Sequence, residues 1–238
     1  MSARRRRKHE EPEEHENEER WMASYMDMVT VLMCMFIVLF AMSTVDQKGD
    51  TTDLQLAQQE AQNLERIRDA IQAALTRDGV QDAVQMKIDE RGLTIGLVGS
   101  STFFDSNHAE LSPTAVRVLD DIGPVIAPEA YQVSVEGHAD LRQPGAPYPT
   151  NWELSAGRAT SVLRHLVESD GFPAERIAAV SFGSARPLAN ATGVTDVDLA
   201  QNRRVDVVVL SSQPERIRQL LPQALQPGTA PAGTATGG

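Results

Sequence analysis

From Met28 to Val45 the chain carries no charged side chain, and Met, Val, Leu, Ile and Phe dominate the run. Extended back to Trp21, the stretch "WMASYMDMVTVLMCMFIVLFAMSTV" is long enough to cross a bilayer, which needs about 20 mostly apolar residues. Such a segment constrains the chain first, because in lipid a single segment satisfies all its backbone groups only as a helix. One transmembrane helix is therefore expected over residues 21–45. Arg4 to Arg7, Lys8 and Arg20 precede it, and Lys48 is the one basic residue close behind. This Lys/Arg bias puts the N-terminus in the cytoplasm and the rest of the chain on the outer side. The rival reading is a cleaved secretory signal ending at "AMS", 41–43. The long acid-rich segment ahead of the run, and the carboxylate at its start, count against it.

That carboxylate is Asp27, the one charge between Ser24 and Ser43. An ionised carboxylate in a bilayer costs about 2.5–3.5 kcal/mol on insertion scales, so it needs a reason to be there. It either sits close enough to the interface to reach water or binds an ion. Helical spacing puts Thr30, Cys34 and Ala41 on its face, while Met33, Phe36, Ile37, Leu39 and Phe40 occupy the others. A small, partly polar stripe suits packing against other helices and lining an ion path. Asp27 is the candidate ion-binding residue, with Thr30 and Cys34 lining the path. One helix cannot enclose a wet path, so this reading requires a multi-helix membrane partner.

The 238 residues suffice for one ordinary domain plus extensions. A net charge of -11 and a pI near 4.9 argue against nucleic acid as a partner. With Cys34 as its single cysteine, the chain has no intramolecular disulfide. Residues 1–20, with the charge blocks of "RRRRKHEEPEEHENEE", and residues 213–238, ending in "QPGTAPAGTATGG", are expected to be disordered or low-complexity tails. Between 46 and 81, Leu54, Ala57, Ala61, Leu64, Ile67, Ile71 and Leu75 recur at helical spacing. This predicts an amphipathic linker helix, capped by Thr51 or Thr52 and closed by Gly79. It would pack on its own domain or on a second copy, or act as a plug over the membrane path.

Residues 82–212 alternate strand and helix. "VQMKIDERGLTIGLV" reads as a hairpin, and "LSPTAVRVLDDIGPVI" as a helix capped by Ser112 with Pro113 at its first position. "YQVSVEGHAD" is a strand, "NWELSAGRATSVLRHLVESDGF" a helix, and "RIAAVSFG" and "RRVDVVVL" are strands. The pattern gives an α/β (α+β) sandwich with helices on one sheet face.

Three ordered motifs, "GHAD" at 137–140, "NWELSAGRA" at 151–159 and "NRRVDVVV" at 202–209, together with "FFDSNHAELSP" upstream, resemble the OmpA-like peptidoglycan-binding domain over roughly residues 98–210. Combined with "RWMASYMDMVTVLMCMFIVLFAMS", the arrangement resembles the B subunit of the bacterial flagellar stator, the MotB/PomB type. The resemblance implies that Asp27 takes up and releases a proton or sodium ion. It implies that Asp140 and Arg158 hold the diaminopimelate group of a peptidoglycan stem peptide, with Asn151, Leu154 and Arg203 around the pocket. The implied partners are a multi-helix stator A subunit, a second copy of the chain and the cell wall. Nothing is carried onto the Pro-rich "LRQPGAPYPT".

Beside this, His138 is expected to hold its loop by hydrogen bonds. Glu136 and Asp140 lack the neighbours of a hydrolytic pair, so no enzyme, cofactor or metal is expected. Two alternatives remain at this point: a passive tether to the cell wall, and an ion-driven unit outside the flagellum. Asp27 separates the tether from the other two.

Overall fold

The computed structural model describes residues 13–98, 100–105, 107–188, 191 and 195–226. The expectations for residues 1–12 and 227–238 lie outside these. The chain divides into two compact units, the second beginning at Asp53.

The first unit holds the apolar stretch, as part of helix α1 (Glu13–Arg77). Trp21–Met42 is long and apolar enough to span a membrane, and none of it is buried. Helix also covers Glu13–Arg20, where the charge blocks suggest a disordered tail; Glu and Arg are good helix formers, and charge alone does not stop the helix.

The second unit is built on a five-stranded sheet. Strands β1 (Val84–Asp89) and β2 (Gly92–Val98) form the expected hairpin. The sheet order is β1-β2-β5-β3-β4, with β3 at Gln132–His138, β4 at Ile177–Ser181 and β5 at Arg204–Leu210. Strand β5 runs antiparallel to both β2 and β3, while β3 and β4 are parallel. Parallel neighbours need a crossover, and helix α4 (Asn151–Glu168) supplies it. A short helix α2 (Ser100–Phe103) and helix α3 (Pro113–Ile126) lie between β2 and β3. Ser112 caps α3 by accepting from the Ala115 amide, with proline at the first turn.

Register places like with like. Leu93, Ile95 and Leu97 of β2 stand opposite Val209, Val207 and Val205 of β5, and Val133 and Val135 of β3 continue the same rows. This apolar face packs on Val118, Leu119, Ile122 and Ile126 of α3 and on Ala159, Val162 and Leu166 of α4. Leu64, Ile67, Ile71 and Leu75 of α1 join the same cluster.

The domain therefore extends beyond 82–212 at both ends. The stripe assigned to a linker is core, with Ala57 and Ala61 buried as well. Downstream, helices α6 (Glu215–Arg218) and α7 (Leu221–Ala224) follow α5 (Asp196–Asn202) and β5, and bury Ile217 and Leu221. A sheet with one apolar face needs that much cover, and three helices leave less of it wet than two.

The alternate residues of the sheet form a polar row. Glu136 and Asp206 stand directly opposite each other on β3 and β5. Two like charges there would destabilise the pair. Arg91 binds Glu136, and Arg204 Nε donates to Asp206 at 2.9 Å, so each carboxylate has its own cation.

Candidate functional site

A cavity of about 330 Å³ opens where the end of β3, the start of α4 and the segment entering β5 converge. Asp140, Asn151, Leu154, Arg158 and Arg203 all line it, so the fold brings together every residue expected at the wall-binding pocket. Local sequence explains how. Gly137 lets β3 approach α4: a Cβ there would lie 2.1 Å from the Ser155 carbonyl oxygen. Thr150 and Glu153 form a capping box that starts α4 at Asn151. Asn151 Nδ2 then donates to the carbonyls of Asp140 and Arg142, both at 2.9 Å, tying the loop after β3 to the helix start.

Asp140 is a held carboxylate. Its Oδ1 accepts from the Arg142 amide at 2.9 Å, and its Oδ2 accepts from Arg142 Nε at 3.2 Å and Arg203 Nη1 at 2.7 Å. Its side chain is buried, whereas that of Arg142 is 55% exposed, so one of its two cations is loosely placed. Arg158 is held differently. Its Nε donates to the His108 carbonyl at 3.0 Å and its Nη2 to that of Asp105 at 3.2 Å, and the guanidinium carbon lies 5.1 Å above the Phe104 ring. The resemblance suggested a bidentate grip on a carboxylate. One edge of the guanidinium is already committed to backbone, which leaves the Nη1 side for a ligand.

Burial, reinforced by the nearby Arg203 charge, pulls Arg158 down to about 10. It is still a cation at neutral pH. Against one carboxylate the cavity lining sets three guanidiniums: Arg142, Arg158 and Arg203. The arrangement suits an anion, or a zwitterion whose carboxylate reaches Arg158 while its ammonium reaches Asp140.

Asn107, Ala139, Arg142, Gln143 and Pro144 also line the cavity, and sequence reasoning did not select them. Three of them belong to the Pro-rich loop onto which nothing was carried. Asn107 gave a faint signal: it takes φ 57°, a conformation asparagine tolerates better than most residues, and its Oδ1 accepts from the Gly145 amide at 2.9 Å.

His138 departs from expectation. Neither ring nitrogen has a partner in strict hydrogen-bond geometry; a backbone contact with Arg186 is the weak remnant of the expected loop tie. The ring stacks on Phe182 at 5.3 Å, and Nε2 is 3.4 Å from Asp206 Oδ2. Burial, with the charges of Arg204 and Arg186, drives its pKa down to about 3, so it is a neutral packing group. Glu136 points into the polar row with Arg91 and Ser134 and does not line the cavity.

In the first unit, Asp27, Thr30 and Cys34 are all exposed. The Thr30 hydroxyl turns back on its own helix, donating toward the carbonyls of Met26 at 3.0 Å and Asp27 at 2.8 Å. In this rotamer its proton is spent on backbone. Among the described residues no hydrogen bond or ion pair reaches the Asp27 carboxylate.

The sheet, crossover helix and cavity define an OmpA-like domain, and residues 103–203 match the OmpA family. Residues 4–50 match a second family, described as membrane MotB of the proton-channel complex MotA/MotB. The chain is 27% identical over 218 residues to the uncharacterized protein YtxE of Bacillus subtilis, covering 81% of this chain and 89% of that one. It is 25% identical over 260 aligned positions to motility protein B of the same organism, covering 88% and 96%. The crystal structure of a putative MotB-like protein from Desulfovibrio vulgaris superposes with a TM-score of 0.58 at 28% identity, covering 64% of this chain and 97% of that one. The chain is a MotB-type protein carrying an OmpA-like domain.

Proposed function

We propose that this chain is the B subunit of a flagellar stator. It couples the passage of H⁺ or Na⁺ through a channel shared with a multi-helix A subunit to torque, while anchoring the complex to peptidoglycan. Two copies of the chain would place two Asp27 carboxylates in the channel, each with its N-terminus in the cytoplasm and its domain on the wall side. The description of the matched family, a MotA/MotB proton-channel complex, supports the A-subunit partner and favours the proton. Ion binding at Asp27 changes its charge, which alters its contacts with the A subunit. Anchorage to the wall turns that change into force on the rotor.

The observation that carries the wall-binding half is the cavity in which buried Arg158 and Asp140 stand together. A diaminopimelate-type group has an ammonium and a carboxylate on one carbon. Its carboxylate meets the Nη1 side of Arg158, and its ammonium displaces the exposed Arg142 side chain from Asp140, keeping Asp140 paired while Arg203 stays in place. The test is cosedimentation of the full chain, purified in detergent, with isolated peptidoglycan. The double variant Asp140→Ala/Arg158→Ala is expected to lose binding while keeping its circular dichroism spectrum. Undiminished binding by the folded variant would place the wall contact elsewhere.

A further inference from the structure

At the end of α4 remote from the cavity, three side chains converge. Asp120 on α3, His165 on α4 and Asp170 in the turn after α4 each bring a ligand atom to within 4.8 Å of the other two. His165 Nε2 lies 2.8 Å from Asp120 Oδ1 and 3.9 Å from Asp170 Oδ2. The Asp170 side chain is only 7% exposed, and its Oδ2 has no hydrogen-bond partner. A carboxylate oxygen shut away from water and left unpaired is costly, and an absent ion is one of the few things that explain it. Gly123 admits the Asp170 side chain to this position: a Cβ there would lie 2.3 Å from that oxygen and 2.5 Å from Asp170 Cβ, and glycine stands there although it weakens a helix interior. Among the described residues, the charges acting on Asp170 come from His165 and Asp120, with no arginine or lysine between them.

We propose that Asp120, His165 and Asp170 form a binding site for a divalent transition cation of the zinc type. One imidazole nitrogen and two carboxylate oxygens give three protein ligands, and the half-exposed side of Asp120 leaves the fourth position to water. Ligand atoms around a tetrahedral ion with bonds of about 2.0–2.1 Å stand about 3.3–3.4 Å apart. The separations of 2.8 and 3.9 Å bracket that value, so small side-chain rotations complete the site. The ion replaces the proton between His165 Nε2 and Asp120, and that proton is released to solvent. A mixed nitrogen and oxygen set selects zinc over magnesium or calcium, which prefer oxygen alone. Fourteen residues separate His165 from Asn151, about 20 Å along a helix rising about 1.5 Å per residue. The ion therefore acts on the domain rather than on its cavity: it clamps α3 to the end of α4.

The experiment titrates the full chain, purified in detergent and stripped with EDTA, with ZnCl₂ in a calorimeter and with MgCl₂ in parallel. One zinc ion per chain, a raised Tm with zinc and no response to magnesium are expected. Asp170→Asn and His165→Ala are each expected to weaken zinc binding by at least about tenfold. Asp120→Asn, at an exposed side chain, should do the same and serves if either of the others fails to fold. Equal zinc affinity in the folded variants, with the metal then held by other histidines or Cys34, overturns the proposal, as does the absence of saturable zinc binding.

Discussion

Asp27 and Asp140 are the same side chain in opposite surroundings. Asp27 stands in a 22-residue apolar stretch, with no hydrogen bond or ion pair reaching it among the described residues. Asp140 is buried and accepts three hydrogen bonds, two of them from guanidiniums. A carboxylate fixed by two cations is held in one place, which suits the proposed role of meeting a ligand's ammonium. Asp27 offers a carboxylate with no fixed partner among the described residues, which is the arrangement the proposed ion-binding role calls for. The two aspartates differ in the neighbours that the described residues give them, as the two proposed roles require.

The sharpest way to break this comparison is to remove charge from each aspartate in turn. Asp27→Asn is expected to abolish motility altogether while leaving membrane insertion and peptidoglycan binding intact, and Asp27→Glu should retain part of the motility. Swimming speed and membrane fractionation read this out; a motile Asn variant would end the carrier role. At Asp140 the effect should be graded. Asp140→Asn leaves Arg142 and Arg203 without their anion and is expected to weaken wall binding by roughly 2–5 kcal/mol, more than tenfold, as when one partner of a desolvated pair is lost. A binding isotherm on isolated peptidoglycan measures it, and wild-type affinity in this variant would move the ligand's ammonium off Asp140.

A third test concerns the boundary between the two regions. Leu64, in the stretch expected to be a linker, is fully buried in the core of the second unit. Leu64→Ala is expected to destabilise the domain by about 2–5 kcal/mol, as for other buried leucines. A shift of less than about 0.5 kcal/mol in denaturant unfolding would return this segment to the role of a linker.

Much of this was legible in the sequence. The hairpin, helices α3 and α4 and all five strands follow from alternation, caps and turns, because those signals are local. "GHAD", "NWELSAGRA" and "NRRVDVVV" point to five residues that the fold gathers around one cavity. The extent of the domain was harder to read. The stripe from Ala57 to Leu75 has the same periodicity whether it packs on its own sheet or on another chain, and periodicity does not name the partner. Arg142 was missed for a related reason: it acts through a loop whose path no spacing rule predicts. The cluster of Asp120, His165 and Asp170 was invisible because its members come from two helices and a turn, and only tertiary packing makes them neighbours.

The smallest expected effect extends the comparison to a group that the domain keeps uncharged. His138, buried against Phe182 and facing Arg204 and Arg186, has its pKa lowered from 6.5 to about 3. The unfolded chain therefore takes up a proton at this residue near pH 6.5, while the folded chain does not until about pH 3. The stability it contributes is present above pH 6.5 and is lost as pH falls toward 3, at up to about 1.4 kcal/mol per pH unit. Asp170 works the other way: burial lifts it from 3.8 to about 6, so its contribution grows as pH falls across that interval. Comparing wild type with His138→Phe, which keeps the stack and removes the proton, cancels the Asp170 term. Urea unfolding at pH 7.5 and pH 5 should show the wild type losing about 1–2 kcal/mol more than the variant on acidification. Equal losses would mean that His138 takes up its proton inside the fold, with Asp206 Oδ2, 3.4 Å from Nε2, as the group that receives the charge.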